Sequence, residues 1–260
     1  MTMSSKRFQD RVAIVTGAGA PGGIGVAIAR DFVAEGGRVV LGATSDRVHE
    51  RAAELGDSAV GVVEDLTVDG GAERVVQSAL DRWGRIDVLV NNAGMTSVAA
   101  GWDADGDVAD LSRADWDAAL ARNLTTAFLM CRAVVPAMTA AGYGRIVSVG
   151  STTGTVNAMP GQSTYTAAKA AMVGLSRALA LEVVQNGITV NVVAPGYVET
   201  GSQLPFEASA AAAGPIGRSG SPAEVSACVL FLAHESASFV TGTVLVVDGG
   251  HGLPETWPRP

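Results

Sequence analysis

Apolar residues fall in seven short runs, at 12–16, 38–41, 59–63, 88–90, 145–149, 189–193 and 243–247. Between the runs lie longer stretches, 23–35, 48–55, 71–83, 113–138, 164–184 and 222–233, whose apolar positions recur on one face at helical spacing. A strand with one wet face alternates apolar and polar residues, and these runs do not alternate. They predict strands covered by helices on both sides, which is an α/β, doubly wound, seven-stranded and mostly parallel sheet.

Boundary signals agree. Ser112 precedes an acidic first turn with Asp115, Ser221-Pro222 with Glu224 makes a cap, an N1 proline and a capping-box acid, and Asn186-Gly187 stops the long 164 helix. Two irregular stretches follow strands, an acidic one near 96–110 and one near 202–220. Ligand-binding loops occupy such places in this architecture. Nothing marks a linker, so 1–260 is expected to be a single catalytic domain, with the acidic loop inserted and a substrate lid near 201–220.

Composition narrows the classes. Net charge is −8, which disfavours nucleic acid as a partner. Cys131 and Cys228 lie far apart in apolar surroundings and read as ordinary buried thiols in a reducing compartment. No N-terminal apolar stretch suits a signal peptide, and no window approaches the roughly 18 uncharged apolar residues of a membrane span, so a cytoplasmic protein without a membrane partner is expected.

Thr16-Gly17-Ala18-Gly19-Ala20-Pro21-Gly22-Gly23-Ile24-Gly25 follows the first run and opens a helix. Glycines permit a tight turn and let a pyrophosphate approach the N–H groups of a helix start, as in a Rossmann-type fold. A merely flexible turn is the plain alternative, and no Gly-Lys-Ser or Gly-Lys-Thr stands ready for a γ-phosphate. After the third run Asp65-Leu66 and after the fourth Asn92-Ala93-Gly94 occupy strand ends that can touch adenine or ribose, although Asp65 could equally cap a turn. The second run ends in Thr44-Ser45-Asp46-Arg47, without the acid that grips the ribose 2′-hydroxyl of NAD. Thr44, Ser45 and Arg47 suit a 2′-phosphate, so NADP(H) is preferred, with NAD(H) as the alternative that Asp46 keeps open.

Tyr165 and Lys169, four residues apart, share one helix face. The ammonium is expected to lower the phenol's pKa from about 10 and fit Tyr165 for proton transfer. Ser151, after a strand, is placed to donate to a substrate oxygen gaining negative charge. Taken singly, each has a plain reading as an amphipathic helix residue, a surface cation or a turn serine.

With these motifs in their order from Thr16 to about Gly250, the chain resembles the short-chain dehydrogenase/reductase superfamily, nearest its 3-oxoacyl-(acyl carrier protein) reductase-like branch. Further matching elements are Asn123, Asn191-Val192-Val193-Ala194-Pro195-Gly196 with Thr200, and the tail from Gly242 to Gly250. The resemblance implies a catalytic tetrad. In it Tyr165 is the general acid or base, Lys169 binds the nicotinamide ribose and tunes Tyr165, Ser151 positions the carbonyl, and Asn123 holds a helix kink and a water reaching Lys169. Gly17, Gly19, Gly23, Ile24, Gly25, Pro195, Gly196, Val198 and Thr200 would border the cofactor. A homotetramer is implied as well.

The sequence departs from that pattern in three places. Five residues rather than three separate Gly17 from Gly23, and Ser151 to Tyr165 spans fourteen positions, one more than usual, with the extra residue placed in 155–160. The third is the acidic loop holding Asp103, Asp105, Asp107 and Asp110 beside Trp102; it reads as solvated rather than as a Ca²⁺ site, and no metal is expected. Asn157, Gln162 and Tyr197 are the candidate substrate contacts beside Ser151. The expected activity is NADP(H)-dependent interconversion of a small ketone and a secondary alcohol. An NAD-linked alcohol dehydrogenase and a catalytically silent dinucleotide-binding protein are the rivals.

Overall fold

Strands form where both faces of the chain can be buried. In a computed structural model, which describes residues 6–94 and 106–253, the seven strands are β1 (Val12–Thr16), β2 (Arg38–Ala43), β3 (Ala59–Val63), β4 (Val88–Asn91), β5 (Gly144–Val149), β6 (Ile188–Pro195) and β7 (Val244–Val247). They make one sheet in the order β3-β2-β1-β4-β5-β6-β7, and all six pairings are parallel. This is the doubly wound Rossmann-type arrangement expected from the unalternating runs.

The helices are α1 (Ile24–Ala34), α2 (Arg47–Ala53), α3 (Gly71–Trp83), α4 (Arg113–Leu120), α5 (Thr126–Ala141), α6 (Ser163–Val183), α7 (Pro205–Ala213) and α8 (Pro222–Ala233). Side chains of β1 alternate between two cores: Ala13 and Val15 meet Ile28, Phe32 and Leu232 from α1 and α8, whereas Val12 and Ile14 meet Val75, Met130 and Val134 from α3 and α5. Each fully buried aliphatic chain contributes on the order of 1.5–3 kcal/mol. That explains why an all-apolar run is stable here.

Capping follows the sequence. Ser112 with Asp115 and Ser221 with Glu224 form reciprocal boxes, and Gly187, at φ +73°, ends the turn after α6. Two expectations need correction. The 202–220 stretch is not irregular throughout, because Pro205 at N1 and Glu207 at N3 start α7. The 29-residue helical stretch Arg113–Ala141 is long and apolar enough to cross a membrane, although no such window was expected. A third of its most apolar window is buried, with Met130, Val134 and Met138 facing the sheet. Cys131 is buried as expected, but Cys228 is only partly so.

Asn191 is the polar exception inside β6. It is fully buried; its Nδ2 donates to Val240 O at 2.8 Å and its Oδ1 accepts from Thr243 N at 3.2 Å. These bonds hold the segment leading into β7 against β6.

Candidate active site

Because the strands are parallel, their carboxyl ends lie along one edge of the sheet, and the loops leaving them meet there. Two adjoining cavities open at that edge, of about 400 and about 590 Å³, and Gly94 borders both.

Thr16 organises the boundary between them. Its buried Oγ1 accepts from the backbone N–H groups of Asn92 and Ala93, each at 3.0 Å, and so fastens the exit of β4 to that of β1. Asn92 Nδ2 then donates to Thr16 O and Gly17 O at 3.0 and 3.1 Å, holding the glycine turn from behind. Gly17 has φ +67°, and a Cβ there would lie 2.8 Å from Ala93 Cα. Only glycine fits that position. The longer loop projects outward at Gly22, around which a Cβ would meet nothing within 4 Å, and Gly23 is the N-cap of α1.

The larger cavity is lined by Gly17, Gly19, Thr44, Ser45, Arg47, Asp65, Leu66 and Ala93 among others. Arg47 Nε donates to Ser45 Oγ at 3.3 Å, so these two side chains share one corner. Asp46 is not among the lining residues; it stands at the N-cap of α2. Asp65 Oδ1 accepts from Thr67 N and Thr67 Oγ1 at 2.8 and 2.7 Å, and these bonds hold its carboxyl below the usual carboxylate range. The turn-capping alternative for Asp65 is thus visible in the bonds it makes, while its carboxylate also borders the cavity.

The smaller cavity is lined by Asn92, Gly94, Ser151, Tyr165, Lys169, Pro195, Gly196, Tyr197, Val198 and Thr200, together with Ile24. Ser151 follows β5, and its side chain hydrogen-bonds the Tyr165 phenol. Thr152 O accepts the N–H groups of Thr155, Val156 and Asn157, folding 152–157 into a tight turn. Gly154, at φ +94°, lets that turn press on α6, where a Cβ would come within 2.6 Å of Thr166 O. Lys169 is buried; its Nζ donates to Val149 O at 3.0 Å and lies 5.5 Å from the Tyr165 ring centroid.

Electrostatics here differ from the sequence expectation. Burial pushes the Tyr165 phenol above its ordinary value, the Ser151 hydrogen bond works against that, and the Glu207 charge adds to it. Lys169 is itself pushed down to about 8 by burial. The expected lowering of Tyr165 by Lys169 is therefore reversed, because desolvation disfavours both charged forms more than their proximity favours them.

Asn123 lies in a π-helical turn, Ala121–Thr125, between α4 and α5, and its Nδ2 donates to Ala119 O at 3.1 Å. The helix is distorted at that residue. A Cβ on Gly94 would come within 2.8 Å of Asn123 Oδ1, so the two pack closely. Asn157 is exposed in the 152–157 turn and Gln162 occupies the N-cap position of α6 without a side-chain capping bond; neither lines the smaller cavity, whereas Ser151 and Tyr197 do. Trp102, Asp103 and Asp105 lie outside the described residues.

Sequence reasoning did not single out Glu207, Gln203 or Leu204, which also line the smaller cavity. The signal was present: Pro205 followed by Glu207 has the spacing that identified the start of α8 at Pro222 and Glu224.

The fold and the arrangement of these side chains define a short-chain NAD(P)(H)-dependent dehydrogenase/reductase. The chain belongs to that superfamily, for residues 17–252 match the family model described as enoyl-(acyl carrier protein) reductase. It is similar to the 3-oxoacyl-[acyl-carrier-protein] reductase FabG of Salmonella typhimurium, 38% identical over 248 residues that cover 94% of this chain and 98% of the relative. The FabG protein of Thermotoga maritima is 37% identical over 252 residues, covering 94% and 98%. The oxidoreductase UcpA of Escherichia coli O157:H7 is 36% identical over 265 residues, covering 96% and 97%.

Proposed function

We propose that the protein reduces a small ketone to a secondary alcohol with NADPH, and runs the reverse reaction with NADP, using Tyr165 as the proton-transfer residue. One observation carries this reading: Ser151, Tyr165 and Lys169 meet at one end of a cleft that passes Gly94 to Thr44, Ser45 and Arg47 at the other.

A nicotinamide dinucleotide fits that cleft by the chemistry of its walls. Glycine backbone near α1 suits a pyrophosphate, and Pro195, Gly196 and Thr200 offer a flat wall and polar groups at the tyrosine end. Bound there, the group supplies or accepts the hydride. The corner of Thr44, Ser45 and Arg47 supports a 2′-phosphate, with one cation and two hydroxyl donors and no carboxylate from Asp46 on the wall.

This chain's own residues do the rest. A phenol held above its ordinary pKa is protonated at neutral pH, the form needed to give a proton to a carbonyl oxygen as the adjacent carbon is reduced. Ser151, already hydrogen-bonded to Tyr165, holds the oxygen that receives the proton. Lys169, charged below about pH 8, stabilises the phenolate left behind and would hold the ribose of the bound cofactor. Asn123, at the π turn, is the residue to which the family resemblance assigns a water path back to Lys169.

The segment 201–220 acts as a lid. Its ends are tied together, with Glu199 N donating to Gly220 O at 2.8 Å and Gly220 N to Tyr197 O at 2.9 Å, while α7 spans the middle. A small ketone is favoured over a thioester carried on an acidic partner protein, because the net charge of −8 offers little to dock one. The homotetramer of the family is supported by exposed Phe231, Phe239 and Val246 along α8 and the β7 edge, and sedimentation would test it.

Absorbance at 340 nm, followed separately with NADPH and NADH against a panel of ketones and alcohols, tests the activity. Turnover is expected with NADPH and a small ketone. Cofactor binding without turnover across the panel would overturn the catalytic reading, and equal use of both cofactors would overturn the phosphate preference.

A further inference from the structure

The smaller cavity carries a charge that ketone reduction does not need. Glu207 comes from the first turn of α7 and lines the same space as Ser151, Tyr165 and Tyr197. Its Oε2 accepts from Leu204 N at 2.7 Å, which fixes the carboxylate at the helix start rather than leaving it to swing on the surface. A carboxylate has lone pairs beyond the one used in that bond. Its nearness to the reacting end is felt electrostatically, since its charge raises the phenols of both Tyr165 and Tyr197.

Cations are scarce on this wall. Lys169 is the one Lys or Arg lining the cavity among the described residues, and its ammonium is already bonded to Val149 O. Arg218, at the far end of the lid, is held by both oxygens of Glu224 at 3.0 and 2.8 Å. An anionic substrate would meet repulsion from Glu207 with no arginine to receive it, whereas an ammonium would find a partly desolvated carboxylate fixed beside Tyr165.

We propose that Glu207 is a specificity-determining residue that selects carbonyl compounds bearing a cationic ammonium group, and alcohols of the same kind, over their carboxylate counterparts. The inference rests on the ketone-reductase reading and names its substrate class. Glu207 transfers no proton and moves no electron; it orients the substrate through an ion pair with its ammonium group.

The test compares 4-(aminomethyl)acetophenone, acetophenone and 4-acetylbenzoate as substrates with NADPH, in the parent protein and in Glu207→Gln. Glutamine keeps an acceptor oxygen for Leu204 N and removes the charge. The parent is expected to prefer the ammonium ketone over the carboxylate, and the ratio of their kcat/KM values is expected to fall about tenfold in the variant. In the parent that ratio should also shrink as salt rises from low to near-molar concentration, a measurement independent of how well the variant folds. Ligand-induced rises in Tm, taken with NADPH present, read binding without chemistry. Reduction of all three ketones with a ratio that neither the variant nor salt changes would overturn charge selection and leave the reductase reading standing. Absence of turnover with a Tm rise confined to the ammonium compound would overturn the reductase reading and leave charge selection standing. Neither turnover nor a Tm rise with any of the three would overturn both.

Discussion

The two ends of the cleft are built by different physics. At the Thr44–Arg47 end the walls are glycine backbone and partly exposed polar side chains, so binding there depends on shape and on pairing with solvent-screened charge. At the Tyr165 end the important groups are withdrawn from water, and their proton affinities are moved by burial before any partner acts. On the proposed function, the first end sets how tightly the cofactor is held and the second how fast protons move. Substitutions at the two ends should separate cleanly into effects on affinity and effects on rate.

The strongest contrast comes from Tyr165→Phe. It removes one oxygen from the buried end, and turnover is expected to fall by about 10³-fold, within the usual range for a lost general acid. Affinity for NADPH, read by fluorescence titration, should stay within about twofold. Comparable turnover in variant and parent would place proton transfer elsewhere. At the other end, Arg47→Ala should raise KM for NADPH about tenfold while leaving NADH nearly unaffected, because it removes the charge proposed to pair with the 2′-phosphate. A parallel loss with both cofactors would show that Arg47 supports the loop instead.

Lys169 links rate to stability. The unfolded chain keeps this proton up to the ordinary lysine value of 10.5, whereas the folded chain gives it up near 8. Between those values the unfolded state binds more protons, so this residue makes stability climb with pH. Urea denaturation of the cofactor-free protein from pH 7.5 to 10.5 should show that contribution, and Lys169→Met should lose it. The same variant should be no less stable than the parent at pH 7, since an apolar chain replaces a desolvated ammonium, while turnover collapses. The smallest effect is expected far from the cleft: Ser221→Ala removes a helix cap and should cost about 1 kcal/mol in urea denaturation with no change in KM.

The contrast between the two ends also governs what could be read in the amino-acid order. Strand runs were legible because burial on both faces forces continuous apolar residues, and β1, β3 and the caps at Ser112 and Ser221 fall where the pattern put them. Residues such as Thr44, Ser45 and Arg47 could be named because they follow a strand end directly. The sign of the Tyr165 shift could not, since spacing along a helix reports which face a residue shares but not how far water is excluded from it. Glu207 went unnoticed because the small, alanine-rich stretch after it hid a short helix whose starting signal was nonetheless present. Asn157 stands outside the smaller cavity because the 152–157 turn folds back on α6, and Gln162 because it sits at the start of that helix.

Asn191 has a reach that its position conceals. A leucine there would fill similar space yet strip the tether at 240–243, and the sheet's outermost ribbon would be free to slip by a residue or peel away. The same strand runs on without a break into Pro195 and Gly196, which wall the tyrosine end of the cleft. One amide hidden in the sheet thus serves as the datum from which both the molecule's outer margin and its chemistry are aligned.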